Sequence, residues 1–446
     1  MDIDLLISDG DIISIKNREV VNNSSIAVKD GEIIEIGKKE ELEEKYQSEK
    51  KINASDKIVM PGLINTHTHL GMTLFRGVND DISGMKWLER AWKIESNLTE
   101  TDVYWASKLG ALEFIKTGTT TFSDHYFNTD KVAEVVKETG IRAVLARPIF
   151  DEGGPDIDTS LKTGMKFTRK YDGYADERVK TFIGPHATYS CSPALLEEIG
   201  EIARKEGYGV HIHMAEGEDE IEDLEEKYGK RPVKYLEDTG ILKSHLIGAH
   251  AVYVNQEEIS ILKENNIKVS HQPTAKMRGG EKAAPIPEML NQGVNVSIGT
   301  DGAGSKNHLD LFSEMNVSAL INKFAYKSPT AITAWEILEM ATINGAKSLG
   351  LEDKIGSIEA GKKADLILIS TEEPEFTPYH NLPSMLVYGT DGSNVDSVIV
   401  DGEVIMENKE TSLEEKEIKE KGQVIFEDLL DKSDMKPKDS GVPVEK

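Results

Sequence analysis

Residues 58–69 read IVMPGLINTHTH, an apolar run interrupted by one Pro-Gly pair and finished by two histidines one residue apart. Seven further short apolar runs follow it: TTTFSDHY (119–126), RAVLARPIF (142–150), VKTFIGPHA (179–187), GVHIHMAE (209–216), LIGAHAVYV (246–254), IKVSHQP (267–273) and VNVSIGTDG (294–302). Between them lie stretches of helical periodicity, among them TDVYWASKLGALEFIKTG (101–118), DKVAEVVKETG (130–140) and SPALLEEIGEIARKEG (192–207). Each of these ends in the glycine that a helix C-cap favours. Eight strands separated by helices predict an α/β fold, a parallel (β/α)8 TIM-like barrel over 59–355. A doubly wound open sheet is the alternative, but no G-x-G-x-x-G follows a strand.

Outside this region the periodicity changes to that of short antiparallel strands. DLLISDGDIISI (4–15), SSIAVKDGEIIEIG (24–37) and SVIVDGEVIMENKE (397–410) each set an Asp-Gly pair between apolar runs, a hairpin signal. With ADLILIS (364–370), these segments predict a small β-sandwich domain assembled from both termini, 1–58 and 356–410. Residues 411–446 are charged and read as a C-terminal helix and tail.

The formal net charge of -27 over 446 residues disfavours phosphate backbones and anionic membranes as partners. Its simplest reading is a heavily solvated surface. A single cysteine, Cys191, excludes an internal disulfide framework and any cysteine-based zinc site, including the Cys-x-x-Cys base-editing deaminases. The opening MDIDLLISDGDIISI has no basic leader, and no apolar run approaches the ~18 residues of a membrane span. The expectation is a cytoplasmic homo-oligomer acting on a small-molecule substrate, with no nucleic acid and no membrane.

Active-site groups of such barrels sit at the C-terminal ends of strands, and here those ends are polar. His67 and His69 alternate on one strand, so both rings face the same side, as a chelating pair does. Alone, the pair reads as a strand cap. However, His213, His250 and His271 finish other strands and Asp301 follows the last, so five of the 11 histidines occupy such ends. Burying ionisable groups there without a partner is costly, which favours a metal site.

With those residues in hand, PGLINTHTHLGMTLFRG (61–77), HIHMAEGEDE (211–220), GAHAVYV (248–254), SHQP (270–273) and GTDGAGSKNHLDLF (299–312) resemble, in order, the segments of the amidohydrolase superfamily. Within it the chain is similar to the methylthioadenosine/S-adenosylhomocysteine deaminase and triazine chlorohydrolase branch. The resemblance implies one divalent metal ion, zinc or iron, held by His67, His69, His213 and Asp301. It implies that Asp301 accepts a proton from water, that His250 orients the attacking oxygen, and that Glu216 passes a proton to the ring nitrogen. His211 is then structural. The lysine that bridges two metals in hydantoinase-like relatives has no counterpart, since Lys180 begins the fourth strand and His186 follows its end.

For the substrate, the resemblance points to Glu95 on the ribose hydroxyls and to His186, and Trp87 is a candidate for stacking on a base. From the residues alone, Glu95 equally fits a solvated helix face and Trp87 fits core packing. Three departures stand out: Lys276 replaces an asparagine, Gln272 differs, and Pro155 occupies the place of an arginine. The implied activity is deamination of an adenosine derivative. The alternative is attack on a free guanine, pterin or triazine ring, with a non-catalytic scaffold as a third reading that the full ligand set disfavours.

Overall fold

The computed structural model describes residues 1–78, 80–82, 84–153 and 158–433; Pro155 and the tail beyond Ser433 lie outside them. Eight parallel strands form one sheet in sequential order: Leu63–Thr68, Thr119–His125, Arg142–Ile149, Val179–Pro185, Gly209–Met214, Leu246–His250, Lys268–His271 and Asn295–Ile298. All the strand-like runs read from the middle of the chain are present in this barrel. The seam between the first and eighth strands is joined by the Thr66 hydroxyl, 2.9 Å from Ser297 Oγ and 3.0 Å from the Ile298 carbonyl. Just beyond it the Asp301 N–H donates to the His67 carbonyl at 3.0 Å. Gly299 permits that approach, because a Cβ there would lie 2.7 Å from the His67 nitrogen. The architecture is therefore a nearly closed TIM-like barrel, not an open sheet.

The run 58–69 divides into two strands rather than forming one. Lys57–Pro61 belongs to the terminal sheet and Leu63–Thr68 opens the barrel. The break falls at Gly62, where a Cβ would meet Thr120 Oγ1 at 2.0 Å. The terminal sheet is mixed and nine-stranded, built from Asp2–Ser14, Glu19–Lys29, Glu32–Gly37, Gln47–Asn53 and Lys57–Pro61 at one end of the chain, and from Leu366–Ser370, Val395–Val400, Glu403–Glu407 and Glu410–Thr411 at the other. Lys57–Pro61 pairs antiparallel with Leu366–Ser370 and so joins the two halves. Leu5, Ile7, Ile26, Val59, Leu368 and Ile399 are buried in the core on one face of the sheet.

Two of the three Asp-Gly pairs make the expected turns. Asp30-Gly31 and Asp401-Gly402 both have positive φ at each residue (52° and 76°, 52° and 78°), as a two-residue hairpin of this twist demands. Asp9-Gly10 does not turn. It lies inside the unbroken strand Asp2–Ser14 as a bulge, with only Asp9 at positive φ (64°). Here glycine answers a packing need, since a Cβ at Gly10 would sit 2.6 Å from Val59 Cγ2. The C-terminal helix, Glu415–Lys432, lies against helix Glu100–Lys116, where Lys116 Nζ meets Glu415 at 2.6 Å.

Barrel and terminal sheet are pinned by a buried ion pair. Arg142 Nε and Nη2 donate to the two Asp365 oxygens at 2.9 and 3.1 Å. Asp365 also accepts the Asp401 N–H at 2.8 Å. Arg142→Met leaves that carboxylate buried without its cation, so a loss of about 3–5 kcal/mol is expected, read as a lower urea midpoint. An unchanged midpoint would show that the pair does not hold the two parts together.

Candidate metal centre and substrate cavity

The C-terminal strand ends converge on three imidazoles. His67 and His69 come from the first strand and His213 from the fifth, with ligand nitrogens all within 4.8 Å of one another. Their outer nitrogens are committed to the protein. His69 Nδ1 meets the His125 carbonyl at 2.7 Å and His213 Nδ1 meets the His186 carbonyl at 2.7 Å. A carbonyl can only accept, so both rings carry a proton on Nδ1 and turn Nε2 towards the cluster. His67 Nδ1 lies 2.9 Å from His211 Nε2, and His211 Nδ1 lies 3.1 Å from Ser123 Oγ. His67 Nε2 has no hydrogen-bond partner among the described residues.

Burial and the neighbouring rings hold His67 well below its ordinary pKa, and burial brings His213 to about 4. Both are therefore neutral near pH 7, the form that binds a metal. Asp301 Oδ1 completes the group at 3.4 Å from His69 Nε2 and 3.9 Å from His67 Nε2. Burial raises the Asp301 carboxyl, and a cation would reverse that direction. These donors, one carboxylate and three imidazoles, fit a divalent ion of the zinc type.

Four residues with a Cβ adopt left-handed backbone at these strand ends: Ala215 (φ 50°), His250 (φ 75°), Ala251 (φ 49°) and Asp301 (φ 61°). Such strain, of order 1–3 kcal/mol each, persists only where surrounding bonds enforce it. At His250 the enforcing bond is the Gln272 side-chain carbonyl, which accepts the His250 N–H at 2.9 Å.

Glu216 lies beyond the fifth strand, with Oε1 3.4 Å from His250 Nε2 and 2.5 Å from Lys276 Nζ. Burial alone would raise its carboxyl. The His250 ring and the Lys276 ammonium overcome that effect and hold it well below the usual carboxylate range.

Two chambers open above this cluster. The inner one, about 80 Å³, is bounded by His69, Glu95, His125, His186, His213 and Glu216, among others. The outer one, about 780 Å³, is bounded by Asp81, Asp219, Lys276 and Arg278, among others. Trp87, Leu88, Tyr189 and Glu216 border both.

Glu95 ends helix Gly84–Glu95 and is 5% exposed, so it is no solvated helix face. Burial pushes its carboxyl up to about 7, a rise that the Tyr126 hydroxyl beside it moderates. Trp87 is half-buried, packed on the core as well as bordering the chambers. His186 is half-buried, with Nδ1 2.8 Å from Ser190 Oγ. His271 closes the seventh strand but borders neither chamber.

Sequence reasoning missed His125. It finishes the second strand, as the strand-end rule could have shown, and its ring stacks on His213 with centroids 5.2 Å apart. It also noted Lys276 only as a departure from the family pattern. The contact with Glu216 joins two loops, and one sequence does not show that.

A barrel whose strand ends gather three imidazole nitrogens and a carboxylate beneath an open cavity has the build of a metal-dependent hydrolase. The chain belongs to the amidohydrolase family, whose model matches residues 58–405. It is 42% identical to a 5-methylthioadenosine/S-adenosylhomocysteine deaminase from Thermoanaerobacter pseudethanolicus, over 91% of this chain and 94% of that protein. It is 43% identical to a 5′-deoxyadenosine deaminase from Methanobrevibacter smithii, over 92% and 94%. Among solved structures it is similar to an adenosine deaminase from Xanthomonas campestris with bound zinc, at TM-score 0.92 and 30% identity, over 96% of this chain and 99% of that one. It shares its fold with an atrazine chlorohydrolase from Arthrobacter aurescens, at TM-score 0.86 and 23% identity, over 95% and 100%. The protein is a hydrolytic enzyme of the aminohydrolase type. Among the described residues no helix is long and apolar enough to cross a membrane.

Proposed function

We propose that the protein deaminates an adenosine derivative of the methylthioadenosine, S-adenosylhomocysteine or 5′-deoxyadenosine type, releasing ammonia and the inosine analogue. One observation carries this reading. The inner chamber is bounded together by Glu216, by two of the three clustered imidazoles, His69 and His213, and by a buried carboxylate, Glu95. In this reading His67, His69, His213 and Asp301 hold one divalent ion, zinc by the match of its donors. Such an ion supplies the Lewis acidity that brings the pKa of water towards neutrality.

The protein's own groups do the rest. Asp301 takes a proton from the attacking water, and His250 orients the oxygen from its enforced turn. Glu216, ionised in the free site, takes up the water's other proton and passes it to the ring nitrogen beside the attacked carbon, making that carbon more electrophilic. Collapse of the adduct forms the ring carbonyl, and the amine leaves with the proton that Asp301 took up.

Glu95 accepts from the ribose hydroxyls, with His186 beside it and Trp87 over the ring. The outer chamber has the volume of a ligand pocket and leaves room for a 5′-substituent. Relatives of the same family act on nucleosides of this kind. Cytoplasmic action on a free small molecule, as a homo-oligomer, belongs to the same proposal; light scattering tests the assembly.

The first assay is ammonia release from a panel of adenosines, free bases, pterins and triazines with metal-replete enzyme. Glu95→Ala is expected to raise KM for adenosines ~10- to 100-fold, the scale of one or two hydrogen bonds to a charged group, and to leave free bases nearly unaffected. Equal losses for both classes would remove Glu95 from the ribose. Turnover confined to free bases or triazines would move the substrate to that class.

A further inference from the structure

One buried carboxylate beside the site has three donors around it and no part in the chemistry above. Glu220 stands in the first turn of helix Glu218–Tyr228 and is 6% exposed. Its oxygens accept the Ala215 N–H at 3.0 Å, the Glu216 N–H at 2.6 Å and the Thr188 hydroxyl.

Each contact has a consequence for the site. Ala215 holds the left-handed backbone that turns the chain out of the fifth strand, and Glu216 follows it directly. Glu220, in the first turn of the helix capped by Gly217, reaches back past the cap to bond those two amides. Thr188 lies two residues beyond His186, whose carbonyl fixes His213 Nδ1. A single side chain thus joins the loop that presents Glu216 to the loop that orients a candidate metal ligand. Burial pushes its carboxyl up to about 7, with the Thr188 hydroxyl and the two amides opposing that rise.

We propose that Glu220 is a positioning residue for proton transfer, fixing the Ala215-Glu216 turn and locking it to the His186 loop. The proposal rests on the reading of Glu216 as the proton carrier. Glu220 acts through Glu216 and makes no demand on the identity of the ring.

Glu220→Gln is nearly isosteric, but its amide keeps only one accepting oxygen, so at least one donor loses its partner. The expected result is a kcat ~10- to 100-fold lower, the scale of loss when a supporting hydrogen bond is removed, with KM within about twofold and metal content unchanged. The Ala215 and Glu216 amides, followed by hydrogen exchange and mass spectrometry without substrate, should exchange at least about tenfold faster. A double-mutant cycle then separates positioning from a general structural role. Glu216→Gln/Glu220→Gln should be no slower than Glu216→Gln alone, within about twofold, because the second change acts only through the first.

The cycle is run on 5′-deoxyadenosine and on adenine, using whichever the wild type turns over, and exchange is measured in either case. Losses that multiply, or amide exchange at the wild-type rate, would overturn the proposal. Glu216→Gln at full rate would remove the proton carrier and Glu220 with it. A slow Glu216→Gln beside a fully active Glu220→Gln would remove Glu220 alone. Should Glu220→Gln not accumulate folded, Thr188→Val deletes one donor. It carries the same expectation at a few-fold, with the same absence of further loss in the Glu216→Gln background.

Discussion

Glu216→Gln should cut turnover by about 10²–10⁴-fold while the protein keeps its metal and its fold. The amide has nearly the shape of the carboxylate, and its oxygen can still accept from Lys276 Nζ, which now lies 2.5 Å from Oε1. What it cannot do is carry a proton to a ring nitrogen and be restored. The carboxylate stands among His250, His213 and Lys276, so the replacement leaves the cavity's outline intact while removing one charge. Initial rates together with elemental analysis of the same preparation check the prediction. A variant within about tenfold of wild type would exclude Glu216 from the chemical step.

His213→Ala should give the opposite signature, losing metal and activity together. His67, His69, His213 and Asp301 are the proposed donor set, and His213 is the member of it that comes from the fifth strand. Its deletion leaves His67, His69 and Asp301, from the first and eighth strands, without the donor that the fifth strand supplies. Metal content well below one equivalent is expected, with turnover down by about four orders of magnitude or more, since hydroxide near neutral pH depends on the ion. Chelation of the wild type should reproduce the loss, and added zinc should restore the wild type but not the variant. A His213→Ala protein that retained a full equivalent of metal would place the ion elsewhere.

The barrel was legible because alternation of apolar runs with helical stretches is a local property, and so is the placement of histidines at strand ends. What lies between elements was not. The division of residues 58–69 at Gly62 depends on Thr120, which approaches from another strand. The Asp-Gly pairs at 9–10 and 30–31 look alike in sequence, and only the packing of Val59 against Gly10 makes one a bulge and the other a turn. Glu95 could be a surface residue by periodicity; its burial follows from helix Gly84–Glu95 folding over the mouth of the barrel. The Lys276–Glu216 and Glu220–Thr188 contacts join loops brought together only by the closed sheet, and no spacing in one chain encodes such contacts.

The strand pairing that welds the two ends of the polypeptide also sets a timetable for its birth. Lys57–Pro61 leaves the ribosome early, yet its partner Leu366–Ser370 emerges only after the entire barrel has been made. Until then one edge of an apolar five-stranded platform has no neighbour, and unpaired edges of this kind recruit foreign strands. The nascent chain therefore passes through a long interval in which it depends on chaperones or on speed, and a ribosome stalled before residue 366 would release a barrel without its clasp.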